Sequence, residues 1–508
     1  MLSGCLVGDR VSFGDGNLPN EENEDVALRA DLIRLLLLGQ DPEVVLHAKG
    51  VRLRGAHISG VLDLQGTDCV YDLTLTRCFL EKSPSFINAR MRGLHLSGCD
   101  FPGFHADNCI FDGSVFLRSG LVSRGEIALP GSRVSGDLQI CDARIEGENG
   151  VGIFAASARI EGSVYLGDYP FDDVDTELHV DSAIQFSSAK ISGDFYCRNC
   201  AISADAHVGS AAIVTNNHQD RLPTALSLNR TEIGGVLNLR NNQITQGMVN
   251  LSGALVRRLN DEPTGASAGY RVRLDGFEYQ TFSDQADTKL EARLDWLERR
   301  PEGVGFSAQP YEHLASVFNK MGHRDDAQNV LRRKERDLRD ANMQAIRESG
   351  HGLWKIPFLW LSSGLLRWLV GYGYRPILAM GWGVVLIALL SLAAHKTWQA
   401  GDMTPNSAPI LVSQNWISAT QTHSQNPGEF WSMPGQAGQD YETFNPVAYA
   451  TDLLIPIVNL GQEDAWAPST SRSVWGQRMW WLRWFAKGFG WVITALAAAA
   501  VTGVIRRI

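Results

Sequence analysis

Residues 189–197 read AKISGDFYC, and the same phrase returns as AHISGVLDL at 56–64, SRVSGDLQI at 132–140, ARIEGSVYL at 158–166 and TEIGGVLNL at 231–239. Each copy runs apolar–x–Gly–x–apolar–x–apolar. Alternation with a period of two is the pattern of a β-strand with one face buried. A strand phrase that repeats along a chain implies units that bury their apolar faces by stacking on one another. Weaker copies end at Gly93, Gly113 and Gly147, and the shorter intervals suit a coil of about twenty residues. The fold class this predicts is mainly β. It is a right-handed β-helix solenoid with an N-terminal helical cap, followed by a small helical linker and a two-helix transmembrane region.

The rest of the chain divides around that block. Residues 1–50 form the cap: EENEDVALRADLIRLLLLG at 21–39 places leucines near helical spacing, opens acidic and ends on Gly39. Residues 51–282 are the repeat domain, with residues 167–180 and 216–223 expected as loops. From 283 to 349 the period changes to about 3.6. Leu290, Leu294 and Leu297 make one stripe, and QPYEHLASVFNKMGHRDDAQNVLRRKERDLR follows as a helical hairpin linker.

Charge thins sharply after Gly350. Residues 350–375 are rich in Trp and Leu but carry Lys355, Pro357 and Arg367, the composition of a helix lying in a membrane interface. Residues 377–394 (ILAMGWGVVLIALLSLAA) hold no charge and match a spanning helix, placed at 376–396. Residues 489–505 (FGWVITALAAAAVTGVI) give a second span within 479–508, and 397–478 become an extracytoplasmic loop. Basic residues before the first span and Arg506-Arg507 after the second place both termini in the cytoplasm of an inner-membrane, multi-pass protein.

A net charge of -10 argues against non-specific nucleic-acid binding, which needs a basic face. Eight cysteines in 508 residues make no disulfide framework. Cys197 occupies the slot held by Leu64, Leu166 and Leu239, so it reads as a core residue, and the C-x-x-C it begins with Cys200 lies on a strand phrase. No P-loop, H-E-x-x-H or G-x-G-x-x-G is present. The sequence therefore names no catalytic residue, no metal ligand and no cofactor. Val370-Gly371-Tyr372-Gly373 spells the core of a potassium filter but precedes the first span, where a glycine-rich bend is the simpler reading.

One segment between the spans carries candidate functional residues. Residues 444–468 (FNPVAYATDLLIPIVNLGQEDAWAP) combine a capping Asn445, a short apolar helix, Pro456 and the turn Asn459-Leu460-Gly461-Gln462. Span, half-helix, turn, span is the plan of a two-helix channel subunit, so residues 444–461 form a candidate re-entrant half-helix. Asn445, Asp452, Pro456, Asn459 and Gln462 are the candidate pore-loop residues. An amphipathic helix packed on the outer membrane face is the simpler reading of the same segment, and the pore loop is the alternative.

Taken together, GVRLRGAHISGVLDL, QPYEHLASVF, VGYGYRP and FNPVAYATDLLIPIVNLGQ resemble a group of bacterial membrane proteins. Those proteins carry a pentapeptide-repeat-like β-helix at the N-terminus and two spans at the C-terminus. Its members often bear the label "membrane-associated oxidoreductase", which is what the resemblance implies for activity. Three functions are therefore in play. The first is a membrane-anchored scaffold presenting a cytoplasmic surface to a protein partner. The second is a channel-like or sensor subunit, for which a homo-oligomer is required, and the third is a membrane-associated enzyme. The lipid bilayer is a partner in all three, and nucleic acid in none.

Overall fold

A computed structural model describes residues 2–21, 23–40, 44–147, 150–171, 174–204, 213–214, 221–264, 269–301, 303–349 and 376–501. The interfacial helix expected at 350–375 and the Val370–Gly373 tetrapeptide lie outside them. Two compact units are present, Met1–Leu338 and Arg339–Ile508. The division falls inside the helix Arg324–Ser349 rather than at the composition shift.

The expected fold class is corrected. The chain has a parallel α/β-type fold, with three large parallel sheets of 16, 9 and 7 strands and twelve helices among the described residues. It does not present a β-helix solenoid joined to two transmembrane helices. Among the described residues, only Gly381–Gln399 is both long and apolar enough to cross a membrane. The second expected span falls in the helix Val474–Val501, whose first half carries Arg478, Arg483 and Lys487 among its tryptophans. Residues 397–478, read as a loop with a half-helix at 444–461, form five short helices, of which Pro446–Leu454 lies in that stretch, and a two-stranded antiparallel sheet, Met403–Pro405 with Trp466–Pro468. Short helices closed by local caps, such as Ser413 and Asn426, leave little apolar periodicity for a sequence reading to find.

Within Met1–Leu338, the strand phrases pair in parallel with one another. Val115, Leu138, Val164, Phe195 and Leu237 are register partners in turn, as are Leu117, Ile140, Leu166 and Cys197. All nine are buried, and the edge-on pair Phe186–Phe195 fills the interior beside them with ring centroids 5.1 Å apart. Burying about 25 cal/mol for each Å² of such apolar surface is what draws the strands together.

The phrase glycine has a steric cause. Gly136, Gly162, Gly193 and Gly235 link to Gly113, Gly136, Gly162 and Gly193 respectively by N–H to C=O hydrogen bonds of 2.9–3.1 Å. A Cβ on Gly193 would sit 2.7 Å from the Gly162 carbonyl oxygen, and one on Gly162 would sit 2.6 Å from that of Gly136. The next residue in each phrase continues the stack. Ser114 Oγ accepts the Asp137 N–H, Asp137 Oδ1 that of Ser163, and Ser163 Oγ that of Asp194, at 3.0, 2.8 and 3.0 Å. Gly60, in the first copy, differs: open space surrounds it, and its φ of +81° is the reason for glycine there.

The helices lie outside this block in sequence. Leu2–Val7 and Ala30–Leu38 precede Val51–Arg54, while Leu290–Glu298, Gln309–Lys320 and Arg324–Ser349 follow Glu278–Phe282. Ala30–Leu38 buries Ile33, Leu36 and Leu37 and ends on Gly39 at φ +56°. Leu290–Glu298 is fixed by a buried ion pair. Arg293 reaches Asp261 at 2.7 and 2.9 Å, with the two side chains 0 % and 2 % exposed.

In Arg339–Ile508, Pro446–Leu454 packs on both Pro376–Gln399 and Val474–Val501. Leu390, Ala394, Tyr449, Leu453, Met479 and Ala486 are buried where they meet. Trp466 is fully buried, edge-on to Trp398 at 5.1 Å and donating from Nε1 to the Glu442 carbonyl at 2.7 Å.

Candidate functional site

The five residues singled out between the apolar stretches are close together, and hydrogen bonds explain why. Asn445 caps Pro446–Leu454: its Oδ1 accepts the N–H groups of Val447 and Ala448 at 3.0 and 3.1 Å. Pro456 ends the same helix. Ile455, before it, takes φ -107° and ψ 94°, the extended backbone that a following proline imposes. The chain then turns back. Asn459 Oδ1 accepts the Gly461 N–H at 2.8 Å, and Gln462 Oε1 accepts the Asn445 N–H at 2.9 Å.

Asp452 is the centre of this turn. Its carboxylate is nearly buried and accepts three backbone N–H groups, from Leu460 at 2.6 Å, Gln462 at 2.8 Å and Glu463 at 3.3 Å. Such charge-assisted bonds offset the desolvation of a buried carboxylate. They also occupy the lone pairs a cation would need. A pocket of about 250 Å³ opens beside it, and Asp452, Pro456 and Asn459 line it along with Glu463, Asp464 and Lys487. Glu463 is itself held by Arg483 at 3.0 Å and by the Lys487 ammonium. This explains how the helix Val474–Val501 carries cations on a largely apolar surface: two of the three turn toward a carboxylate of the same unit.

The outer side of this unit is apolar. Val384, Val385, Leu389 and Leu392 are exposed along one long helix, and Trp481, Trp484, Phe485 and Trp491 along the other. Only 17 % of the Gly381–Gln399 window is buried.

In Met1–Leu338 the sequence reading missed a second feature. His95, Phe116, Gln139, Tyr165 and Tyr196 are consecutive register partners on the outward side of the long sheet. His95 and Phe116 lie 4.7 Å apart, while Tyr165 and Tyr196 stack at 5.3 Å with an interplanar angle of 9°. Tyr169 meets Tyr165 edge-on at 4.9 Å, and the Arg118 guanidinium sits 4.5 Å from the Phe116 ring centroid. Burial lowers His95 and pushes the phenols of Tyr165 and Tyr196 up. Gln139, almost wholly buried between Phe116 and Tyr165, leaves Oε1 without a partner. The signal was available: VFL, VYL and FYC place an aromatic at the same offset of the phrase, where a solvated strand would carry polar residues.

Cys197 and Cys200 are buried free thiols, and Asn242 bonds the backbone of both, accepting from Cys200 N–H at 3.1 Å and donating to Cys197 O at 2.7 Å. No family model, curated protein or solved structure matches the chain. The resemblance to bacterial membrane proteins therefore rests on the four quoted stretches alone.

Proposed function

We propose that this chain is a membrane-attached docking protein. The unit Arg339–Ile508 holds to lipid through the outward side chains of its two long helices, and the unit Met1–Leu338 offers its sheet surface to a protein partner. The observation that carries the reading is the outward-facing apolar surface at Val384, Val385, Leu389 and Leu392. An apolar patch of this kind on a water-facing protein would be an aggregation liability, whereas lipid satisfies it. Trp481, Trp484 and Trp491 add the amphipathic rings that settle at headgroup level. The aromatic row from His95 to Tyr196 supports docking, because aromatics on an outward sheet face beside arginine are the residues that anchor protein interfaces.

Orientation follows from charge. Lys355, Arg367 and Arg375 precede the apolar helix, which favours the cytoplasmic side for Met1–Leu338. All eight native cysteines are buried, so an introduced surface cysteine reports alone. In spheroplasts of a bacterial host, an impermeant thiol reagent should label Gln425→Cys and spare Lys82→Cys. Labelling of Lys82→Cys alone would reverse the orientation. Release of the protein from membranes by an alkaline carbonate wash would reject lipid attachment itself.

A further inference from the structure

On the outward side of the long sheet, near its C-terminal strands, a recess of about 490 Å³ is lined by Arg198, Asn238, Arg240, Asn241 and Gln285. Its position follows from strand alternation. Cys197 and Leu239 point into the core, so Arg198 and Arg240, next along each strand, emerge on the opposite side.

The two guanidiniums are held differently. Arg198 lies 3.4 Å through Nε from the carboxylate of Asp168, which is only 4 % exposed, so the planar fork is braced from behind. Among the described residues, Arg240 meets only neutral oxygens: its Nη1 reaches the carbonyl and the side-chain oxygen of Gln285, both at 3.3 Å. Those bonds lie at the long end of the hydrogen-bonding range, and a carboxylate or phosphate would displace them readily. Asn238 Oδ1 accepts the Arg240 N–H at 3.2 Å, tying the asparagine to the same rim. Its register partner Asn260 is 4 % exposed and leaves Oδ1 without a hydrogen-bond partner.

A second recess, of about 720 Å³, shares Asn241 with the first but is lined by Asp175 and Glu177. The two volumes therefore differ in sign across one asparagine. An anionic group is favoured on the arginine side and repelled from the acidic side, so one oxyanion at one end and hydrogen-bonding groups on the remainder suit the two recesses. Amide side chains, which donate and accept, suit hydroxyls.

We propose that the arginine recess binds a small polyhydroxy anion, a sugar acid or a sugar phosphate, with its oxyanion between Arg198 and Arg240. Guanidinium forks match the planar geometry of carboxylate and the oxygens of phosphate, and the volume falls in the range of small-molecule sites. The proposal goes beyond membrane docking and does not depend on it, because every residue named belongs to Met1–Leu338.

Isothermal titration of the full chain in detergent micelles tests this with glucuronate, glucose 6-phosphate and glucose as probes. At least one of the two acids should bind with a Kd on the order of 1 mM or tighter, and neutral glucose should not. The tighter of the two identifies the oxyanion. Arg240→Gln should weaken that binding at least about tenfold, the loss of one charge-assisted contact, while leaving the thermal midpoint of the unliganded protein in place. Absence of saturable binding by both acids, equal binding by glucose, or unchanged affinity in Arg240→Gln would overturn the proposal. Should Arg240→Gln fail to fold, Gln285→Glu places a carboxylate at an exposed rim position instead. It is expected to abolish binding, and undiminished affinity there counts equally against the site.

Discussion

Asp194 stands over Gly235: its Oδ1 accepts the Val236 N–H at 2.6 Å and occupies the space into which a side chain on Gly235 would grow. The same relation, one phrase earlier, sets Ser163 over Gly193. Gly136, Gly162, Gly193 and Gly235 are therefore each fixed by the polar side chain of the phrase before. Each of those polar side chains is in turn satisfied by the backbone of the next.

Gly193→Ala should consequently destabilise the protein by about 1–3 kcal/mol, the usual cost of forcing extra volume into a packed site. The Gly162 carbonyl, 2.7 Å from the new Cβ, is backbone and cannot step aside. Gly305→Ala is the control, because nothing lies within 4 Å and its φ is ordinary. Its effect should stay within about 0.5 kcal/mol. Chemical denaturation of the two variants measures the difference, and equal midpoints would remove the steric account.

The buried pair Arg293–Asp261 makes a larger prediction. Arg293 also donates from Nε to the Asp287 carbonyl at 2.6 Å and lies 4.2 Å from the Phe282 ring centroid. Arg293→Met keeps much of the apolar stem but strands the Asp261 carboxylate in the interior. Breaking one side of a buried pair costs about 3–5 kcal/mol. The double variant Arg293→Met/Asp261→Leu should recover a large part of that loss. Failure of the double variant to recover would show that the helix Leu290–Glu298 depends on the charges themselves.

Stability should also fall on mild acidification. His313 Nε2 lies 2.9 Å from both the N–H and the carbonyl oxygen of Tyr279, and burial lowers its pKa below the ordinary 6.5. Between the depressed folded value and 6.5 the unfolded chain binds the proton and the folded chain does not, so stability drops as pH falls through that window. His95, lowered by burial, acts in the same direction. The thermal midpoint of His313→Gln should vary less than that of the unsubstituted protein between pH 7 and the low end of the window. An equal slope in both would place the dependence elsewhere.

Some of this was legible in the sequence, and the limits have physical causes. The phrase told which residues are buried, since Ile191, Phe195 and Cys197 are all within the core. It did not distinguish Gly60, glycine for its positive φ, from Gly193, glycine for want of space, because both are one letter. The short helix after Asn445 was legible and is Pro446–Leu454, but Ala408–Leu411, Gln414–Thr422, Pro427–Trp431 and Gln462–Ala465 were invisible, being four to nine residues long and not marked by apolar stripes. Asn445, Asp452, Asn459 and Gln462 were grouped by their polarity in an apolar stretch. Their proximity is real, but what joins them is backbone capping, which a sequence shows only as polar letters. The Arg198–Arg240 recess joins residues 42 positions apart, and no motif spans that distance.

Lipid contact by the long helices of Arg339–Ile508 is the central claim, and a spin label tests it most directly. Because every native cysteine is buried, Leu392→Cys and Trp481→Cys each provide one reactive thiol on the exposed apolar surface. In reconstituted vesicles both labels should collide more often with oxygen, which concentrates in the hydrocarbon, than with a water-soluble nickel chelate. A label at Gln425→Cys should show the opposite preference. Nickel-dominated collisions at Leu392 and Trp481 would place these side chains in water and contradict the account.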